Sequence, residues 1–313
     1  MLYLHIGTSK TGSTSIQHFL TQTPLERFGL GQIACFGLGN AWKLAAASGT
    51  RNAERYWVEH RKRMSKAEFD RNRQEIWDQL SRELASADSR DFVASTEFLY
   101  RHCYGEPRAL EVLRDRLLAG FGDVRIILYL RDQRDYLRSF YAQTVVGHTR
   151  SAMDFDSFIS RTRRSRELWD YRTGVRLWAQ VFGAERLTVI PFDRANFIGH
   201  DLIRDFVARL PVSMAALPLP GDGFAPENVT PGYAQVRMIR ALNQRSQSPG
   251  HPVLQPLRWL VASRLGRLLP GPADFPTSHD AEILAQVSAG NAWLNETFLK
   301  DFAMRLPVAG DPG

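Results

Sequence analysis

Cysteine is nearly absent from this chain: Cys35 and Cys103 are the only two in 313 residues. Two thiols are too few for a disulfide framework or a four-cysteine zinc site. Lysine is scarce as well. Lys10, Lys43, Lys62, Lys66 and Lys300 are the only lysines, so arginine makes up the rest of the 40 basic residues. No apolar run reaches the roughly 20 residues a membrane helix needs, so no integral membrane segment is expected. The opening stretch, MLYLHIGTSKTGSTS, turns polar after six residues and has no basic leader. No secretory signal is therefore expected, and the cytoplasm is the expected compartment. Internal repeats and low-complexity tracts are missing. So are zinc-finger, RNP and basic-zipper patterns, which leaves nucleic acid without a recognisable reader.

What is present is the composition of a globular protein. The hydrophobic fraction is 44% and the charged fraction 23%, which excludes a disordered or collagen-like chain. Forty Lys plus Arg against 33 Asp plus Glu give a formal charge of +7, with a pI near 9.6. Arginine offers a planar fork suited to phosphate, sulfate and carboxylate. An anionic ligand is the expectation.

Short apolar runs alternate with helical periodicities. The runs are Leu2–Ile6, Phe92–Ala94, Val124–Leu130 and Leu187–Ile190, with Ile33–Phe36 as a short edge strand. Between them lie helical patterns at 110–118, 135–146, 171–182 and 201–210. Strand and helix in alternation predict an α/β fold with a parallel β-sheet flanked by helices. Residues 51–91 read as a helical insertion, a candidate lid, in which Ser65-Lys66-Ala67-Glu68 has the pattern of a capping box. Residues 211–313 are rich in proline, with helical patterns near 233–242 and 281–298. They read as an irregular C-terminal wrap, a candidate acceptor-binding region, on a single domain spanning 1–313.

The strongest local signal is His5-Ile6-Gly7-Thr8-Ser9-Lys10-Thr11-Gly12-Ser13-Thr14-Ser15. A loop between a parallel strand and a helix points backbone N–H groups at one spot, and the helix dipole adds positive charge there. Lys10 supplies a full charge, and Gly12 admits close approach. The result is a nest for a phosphate-like anion. It is not a Walker A loop. Gly7 and Gly12 have the spacing, but Ser13 stands where that motif needs lysine. A second candidate lies at the end of the third strand. Arg131 sits where ligands bind in open α/β sheets, and Ser139 follows eight residues later in a helix.

Taken together, the two motifs resemble those of the sulfotransferases that use 3′-phosphoadenosine 5′-phosphosulfate (PAPS). Lys10-Thr11-Gly12-Ser13-Thr14 is similar to the family's first loop. Leu130-Arg131-Asp132-Gln133-Arg134-Asp135-Tyr136-Leu137-Arg138-Ser139-Phe140-Tyr141 is similar to its second motif, with Gln133 in place of the usual proline and the second arginine shifted. The stretch from Tyr171 to Asp193 resembles the family's following helix, turn and strand. The resemblance covers about residues 1–210 and implies a P-loop-like sulfotransferase fold of the bacterial carbohydrate type.

The resemblance also implies chemistry. Lys10, Thr11, Gly12, Ser13, Thr14 and Ser15 would bind the 5′-phosphosulfate, and Arg131 with Ser139 the 3′-phosphate. Lys10 would neutralise the leaving group without a metal ion. A general base takes the proton of the acceptor hydroxyl. Glu97, in Ser95-Thr96-Glu97-Phe98 after the second central strand, is the first candidate, with His102 and His148 behind it. A hydroxyl on a carbohydrate or glycolipid is the implied acceptor. Two other readings compete: a P-loop kinase or other nucleoside-triphosphate enzyme, and a nucleotide- or polyanion-binding protein without catalysis. His5, Trp42, Trp57, Trp77, Trp169 and Trp178 read as core residues. Arg161, Arg163, Arg164 and Arg166 read as a solvated helix face.

Overall fold

The computed structural model describes residues 1–60, 64–213, 231–246 and 274–310, with 257, 260, 261, 263, 271 and 272 between the last two spans. Its contacts divide the chain into two compact units. The first comprises Met1–Arg131, Asp170–Glu227 and Gly290–Leu306; the second comprises Asp132–Trp169, Asn228–Ala289 and Pro307–Gly313.

A five-stranded, all-parallel sheet flanked by helices organises the first unit. The strands are β1 (Leu2–His5), β2 (Leu30–Gly31), β3 (Asp91–Ser95), β4 (Val124–Leu130) and β5 (Leu187–Pro191), in the order β2-β3-β1-β4-β5. A parallel sheet is covered on both faces, so its strands read as continuous apolar runs. β4 illustrates the rule. Ile126, Leu128 and Leu130 join the cluster on one face, with Leu2, Leu4 and Ile6 of β1. Ile127 and Tyr129 join the other, with Ile16, Phe19 and Phe206. Alternate residues of a strand point to opposite faces, and here both faces are dry.

The expected edge strand is one short element out of place. β2 is Leu30–Gly31, while Ala34–Phe36 forms a 3₁₀ turn. Cys35 and Phe36 are fully buried in the main core. The Cys35 N–H donates to the Glu83 carboxylate at 2.9 Å rather than to a strand. Burial of those side chains inward outweighs the β propensity of the run.

The insertion carries a long helix, Lys66–Ala85. Its capping box is formed: the Ser65 N–H donates to Glu68 Oε2 at 2.7 Å, and the Glu68 N–H donates to Ser65 Oγ at 3.3 Å. Ile76, Trp77 and Leu80 pack into the main core, so this helix helps to cover the sheet. Trp57, Trp77, Trp169 and Trp178 are buried, and Trp42 is half-buried. His5 is fully buried as well.

The second unit is helical. Gln133–Val146, Phe155–Thr162 and Tyr233–Ser246, with Ile283 and Val287 of Asp280–Thr297, enclose a core around Tyr136, Leu137, Tyr141 and Trp169. Both C-terminal helical patterns fall where the periodicity puts them. Much of the proline-rich stretch between them lies outside the described residues. Arg161, Arg163, Arg164 and Arg166 are exposed, and Arg163 pairs with Glu282.

Candidate functional site

Strand order reverses between β1 and β4, the place where open α/β sheets bind their ligands. The loop after β1 and the residue after β4 both belong to the first unit. The Thr8 N–H donates to the Tyr129 carbonyl at 2.9 Å, and the Tyr129 N–H donates to the Gly7 carbonyl at 2.8 Å. The loop is thus an extension of the sheet ladder. It then turns sharply through residues of positive φ: Gly7 at 109°, Lys10 at 65° and Gly12 at 73°. Lysine has no intrinsic preference for that region, and such conformations concentrate at functional sites. Hydroxyls brace the turn from inside. Thr11 Oγ1 and Ser13 Oγ both donate to the Thr8 carbonyl.

The helix Ser13–Gln22 opens at Gly12, and no side chain caps it. The first turn of a helix leaves its N–H groups without intrahelical partners, and here that turn follows directly on the loop. Gly12 is required for two reasons. Its φ of 73° strains any L residue, and a Cβ there would meet Leu202 Cδ2 at 2.2 Å and the Phe192 ring at 3.4 Å. Gly12→Ala is therefore expected to lower stability by about 1–2 kcal/mol from the backbone alone, read as a shift of the urea midpoint at constant slope. A midpoint equal to wild type would mean that the loop does not need this geometry.

Arg131 reaches back over the loop. Its Nη1 donates to the Lys10 carbonyl at 3.3 Å, and its guanidinium lies 5.9 Å from the centre of the Phe192 ring. The two cations are close enough to disfavour one another. Burial lowers the Lys10 pKa, and the Arg131 charge lowers it further, while the Glu97 charge opposes the shift. A pair of cations held partly out of water is a site that an anion would stabilise.

Glu97 stands on the other side of β1, two residues past the end of β3. Gly7 makes room for it: a Cβ on Gly7 would come within 3.1 Å of the Glu97 Cα. Glu97 occupies the N-cap position of the helix Phe98–Cys103, yet its side chain caps nothing. Instead Glu97 Oε2 accepts a 2.7 Å hydrogen bond from Gln17 Nε2. Lys10, Arg131 and Glu97 therefore converge at the carboxyl end of three adjacent strands. Thr11 and Ser13 are buried, Ser15 is half-buried and Thr14 is exposed.

The remaining candidates sit on other elements. Ser139 is buried on Gln133–Val146 in the second unit. Asp132 caps that helix, its Oδ1 accepting from the Arg134 N–H at 2.8 Å. Gln133 then falls at the first helical position. Proline is favoured there because that N–H has no helical partner, so its replacement by glutamine leaves the helix start intact. Arg134 is engaged with Asp132 at 2.6 Å, and Arg138 with Asp280 and Asp135. His102 is buried among Tyr56 and Phe98. Burial, then the Arg101 charge, pushes its pKa down to about 3, too low for a good proton acceptor near neutrality. His148 is exposed on the second unit. Among the described residues no group of three or more His, Cys, Asp or Glu is placed to hold a metal ion, and no helix is long and apolar enough to cross a membrane.

Three residues that serve this site are not conspicuous in the sequence: Gln17, Phe192 and Leu202. Only Gln17 carries a signal, being one turn into the helix that the loop opens. A groove of about 580 Å³, lined in part by Gly31, Gln32, Ser89, Arg90 and Phe92, lies at the other end of β3 and contains none of the candidate residues.

No family model matches the chain, and no curated protein matches it. Among solved structures, a sulfotransferase from Alicyclobacillus acidocaldarius is similar in fold. It shares 17% identity and a TM-score of 0.41 over 85% of this chain and 93% of that one. A likeness that distant carries no argument about activity.

Proposed function

We propose that this protein transfers a sulfuryl group from PAPS to an acceptor hydroxyl, on a carbohydrate or glycolipid. The observation that carries the reading is the convergence of Lys10, Arg131 and an uncapped helix N-terminus at the β1–β4 reversal, with Glu97 on the far side of β1. The motif resemblance of both segments supports it independently. The donor set fits a phosphosulfate: two cations, the N–H groups at the helix start, and the hydroxyls of Thr14 and Ser15, while Thr11 and Ser13 shape the loop by donating to the Thr8 carbonyl.

In this reading PAPS supplies the sulfuryl group, and the chain supplies electrostatics and a proton acceptor. Charge builds on the leaving phosphate as the bond to sulfur breaks. Lys10 and the N–H groups of the helix's first turn stabilise that charge without reorganising, because the fold already holds them. Arg131, with Ser139 as the motif assigns it, holds the 3′-phosphate. Glu97 accepts the hydroxyl proton. The single domain, with 51–91 as a lid and 211–313 binding the acceptor, is part of the same proposal.

Nucleotide choice is the direct test. Adenosine 3′,5′-bisphosphate should raise the melting temperature far more than AMP, with a stabilisation of about 2.7 kcal/mol at about 100 times Kd. ATP with Mg²⁺ should do no better than AMP. Equal shifts with AMP and the bisphosphate, or a Mg²⁺-dependent preference for ATP, would overturn the assignment in favour of a triphosphate enzyme.

A further inference from the structure

We propose that Gln17 is a positioning residue for the Glu97 carboxylate, tying the orientation of the proton acceptor to the helix that opens the anion loop. For its kinetic part the inference rests on the transfer reading above. Its contact rests on geometry alone.

Glu97 leads into the helix Phe98–Cys103 but makes no cap hydrogen bond to it. A carboxylate at the end of a strand has free rotation about three bonds unless something holds it. Gln17 Nε2 holds one oxygen, Oε2, at 2.7 Å. The second oxygen is then directed by the first, because the carboxylate is planar. The main chain of Gln17 is itself fixed. Thr21 Oγ1 donates to its carbonyl at 2.8 Å. The Gly39 loop closes over the same turn so tightly that a Cβ on Gly39 would lie 3.0 Å from that carbonyl and 2.2 Å from Thr21 Oγ1. That loop is anchored in turn, since the Gly39 N–H donates to Gln32 Oε1 at 2.9 Å while Gln32 Nε2 donates to the Leu20 carbonyl at 2.8 Å. The chain from the helix through Gln32 and back to the Gln17 main-chain carbonyl fixes the backbone from which the amide reaches Glu97.

The amide is also the right kind of partner. A neutral N–H donor favours the ionised carboxylate without competing for the acceptor's proton. Lysine at this position would form an ion pair and blunt the base. Lys10 of the loop feels the Glu97 charge, with Arg131 beside Lys10 at the end of β4, and Arg101 and His102 follow Glu97 in the helix it leads into. The Ser13–Gln22 helix presents Gln17, with His18 next along the chain.

Two measurements test the inference. The first needs no substrate. The side-chain amide resonance of Gln17, identified by its loss in Gln17→Leu, should move on acid titration of the wild-type protein and stop moving in Glu97→Gln. A resonance indifferent to Glu97 overturns the contact, whatever the protein's activity. The second uses PAPS with octyl glucoside as a minimal glycolipid acceptor. Gln17→Leu should lower kcat about 10-fold or more, the scale of a hydrogen bond to a charged group. The KM for PAPS should stay within about twofold of wild type, and the acidic limb of the kcat profile should move to higher pH. Gln17→Glu, which keeps the shape and places a second carboxylate against the first, should shift that limb further. An unchanged kcat, or a loss confined to KM, would reduce Gln17 to a packing residue. Failure of adenosine 3′,5′-bisphosphate to bind would instead count against the transfer reading and leave the amide titration standing.

Discussion

Glu97→Gln is expected to lower sulfuryl transfer by about 10²–10⁴-fold, the usual worth of a general base, while leaving the affinity for adenosine 3′,5′-bisphosphate near wild type. The asymmetry follows from position. Glu97 lies beyond the end of β3, whereas the anion loop follows β1 and Arg131 follows β4. Glutamine keeps the volume, and its amide oxygen can still accept from Gln17. What it loses is the capacity to take a proton. Lys10→Ala should behave differently and lower both turnover and nucleotide affinity, because an ammonium that meets the developing charge also meets the ground-state phosphate. Titration calorimetry with the bisphosphate, beside transfer assays, separates the two. A Glu97→Gln enzyme with near-normal turnover would move the base to another residue.

Acid is expected to unfold this protein through its buried imidazoles. His5 is fully buried, and its Nδ1 shares a 2.8 Å hydrogen bond with Ser95 Oγ. Burial pushes the His5 pKa down to about 3, against a weaker opposing effect of the Gly7 carbonyl. His102 is pushed to about 3 as well. In the unfolded chain each ring titrates near 6.5. Between about pH 6.5 and 3 the unfolded state therefore binds more protons than the native state. Stability falls as pH drops through that window, by about 1.4 kcal/mol per pH unit for each ring. Above pH 6.5 both states hold neutral rings, and the dependence vanishes. His102→Phe suits the surrounding aromatic cluster and should remove about half of the slope due to histidine in urea midpoints measured from pH 7 to pH 4. A variant with the wild-type slope would show that His102 takes up its proton without unfolding.

Much of the architecture is legible in the sequence because it depends on local rules. β4 is apolar along nearly its whole length, and only a strand covered on both faces tolerates that. The capping box at Ser65 and Glu68 needs four consecutive residues and nothing else. The anion loop announces itself in the same way, since Gly7, Lys10, Gly12 and the hydroxyls that follow lie within one short segment. His5 and the tryptophans read as core residues because an apolar context leaves them little alternative. The edge strand is the informative miss. Ile33–Phe36 has the composition of a strand, but whether Cys35 pairs with a neighbouring strand or with Glu83 depends on a helix about 50 residues away.

Local patterns in the chain set the succession of strands and helices, the loop that turns through Lys10, and the residue types gathered at the carboxyl ends of β1, β3 and β4. Tertiary structure alone decided which of them meet. The strand order brings Lys10, Arg131 and Glu97 to neighbouring positions from widely separated points in the chain. The same packing sets Phe192 under the Arg131 guanidinium and Leu202 against Gly12. It also gives the Glu97 carboxylate its partner in Gln17, 80 residues earlier. The periodicity of a segment reports which face of it is dry, because burial acts on each residue separately. It cannot report the partner across a packed interface, because that depends on where every other segment comes to rest.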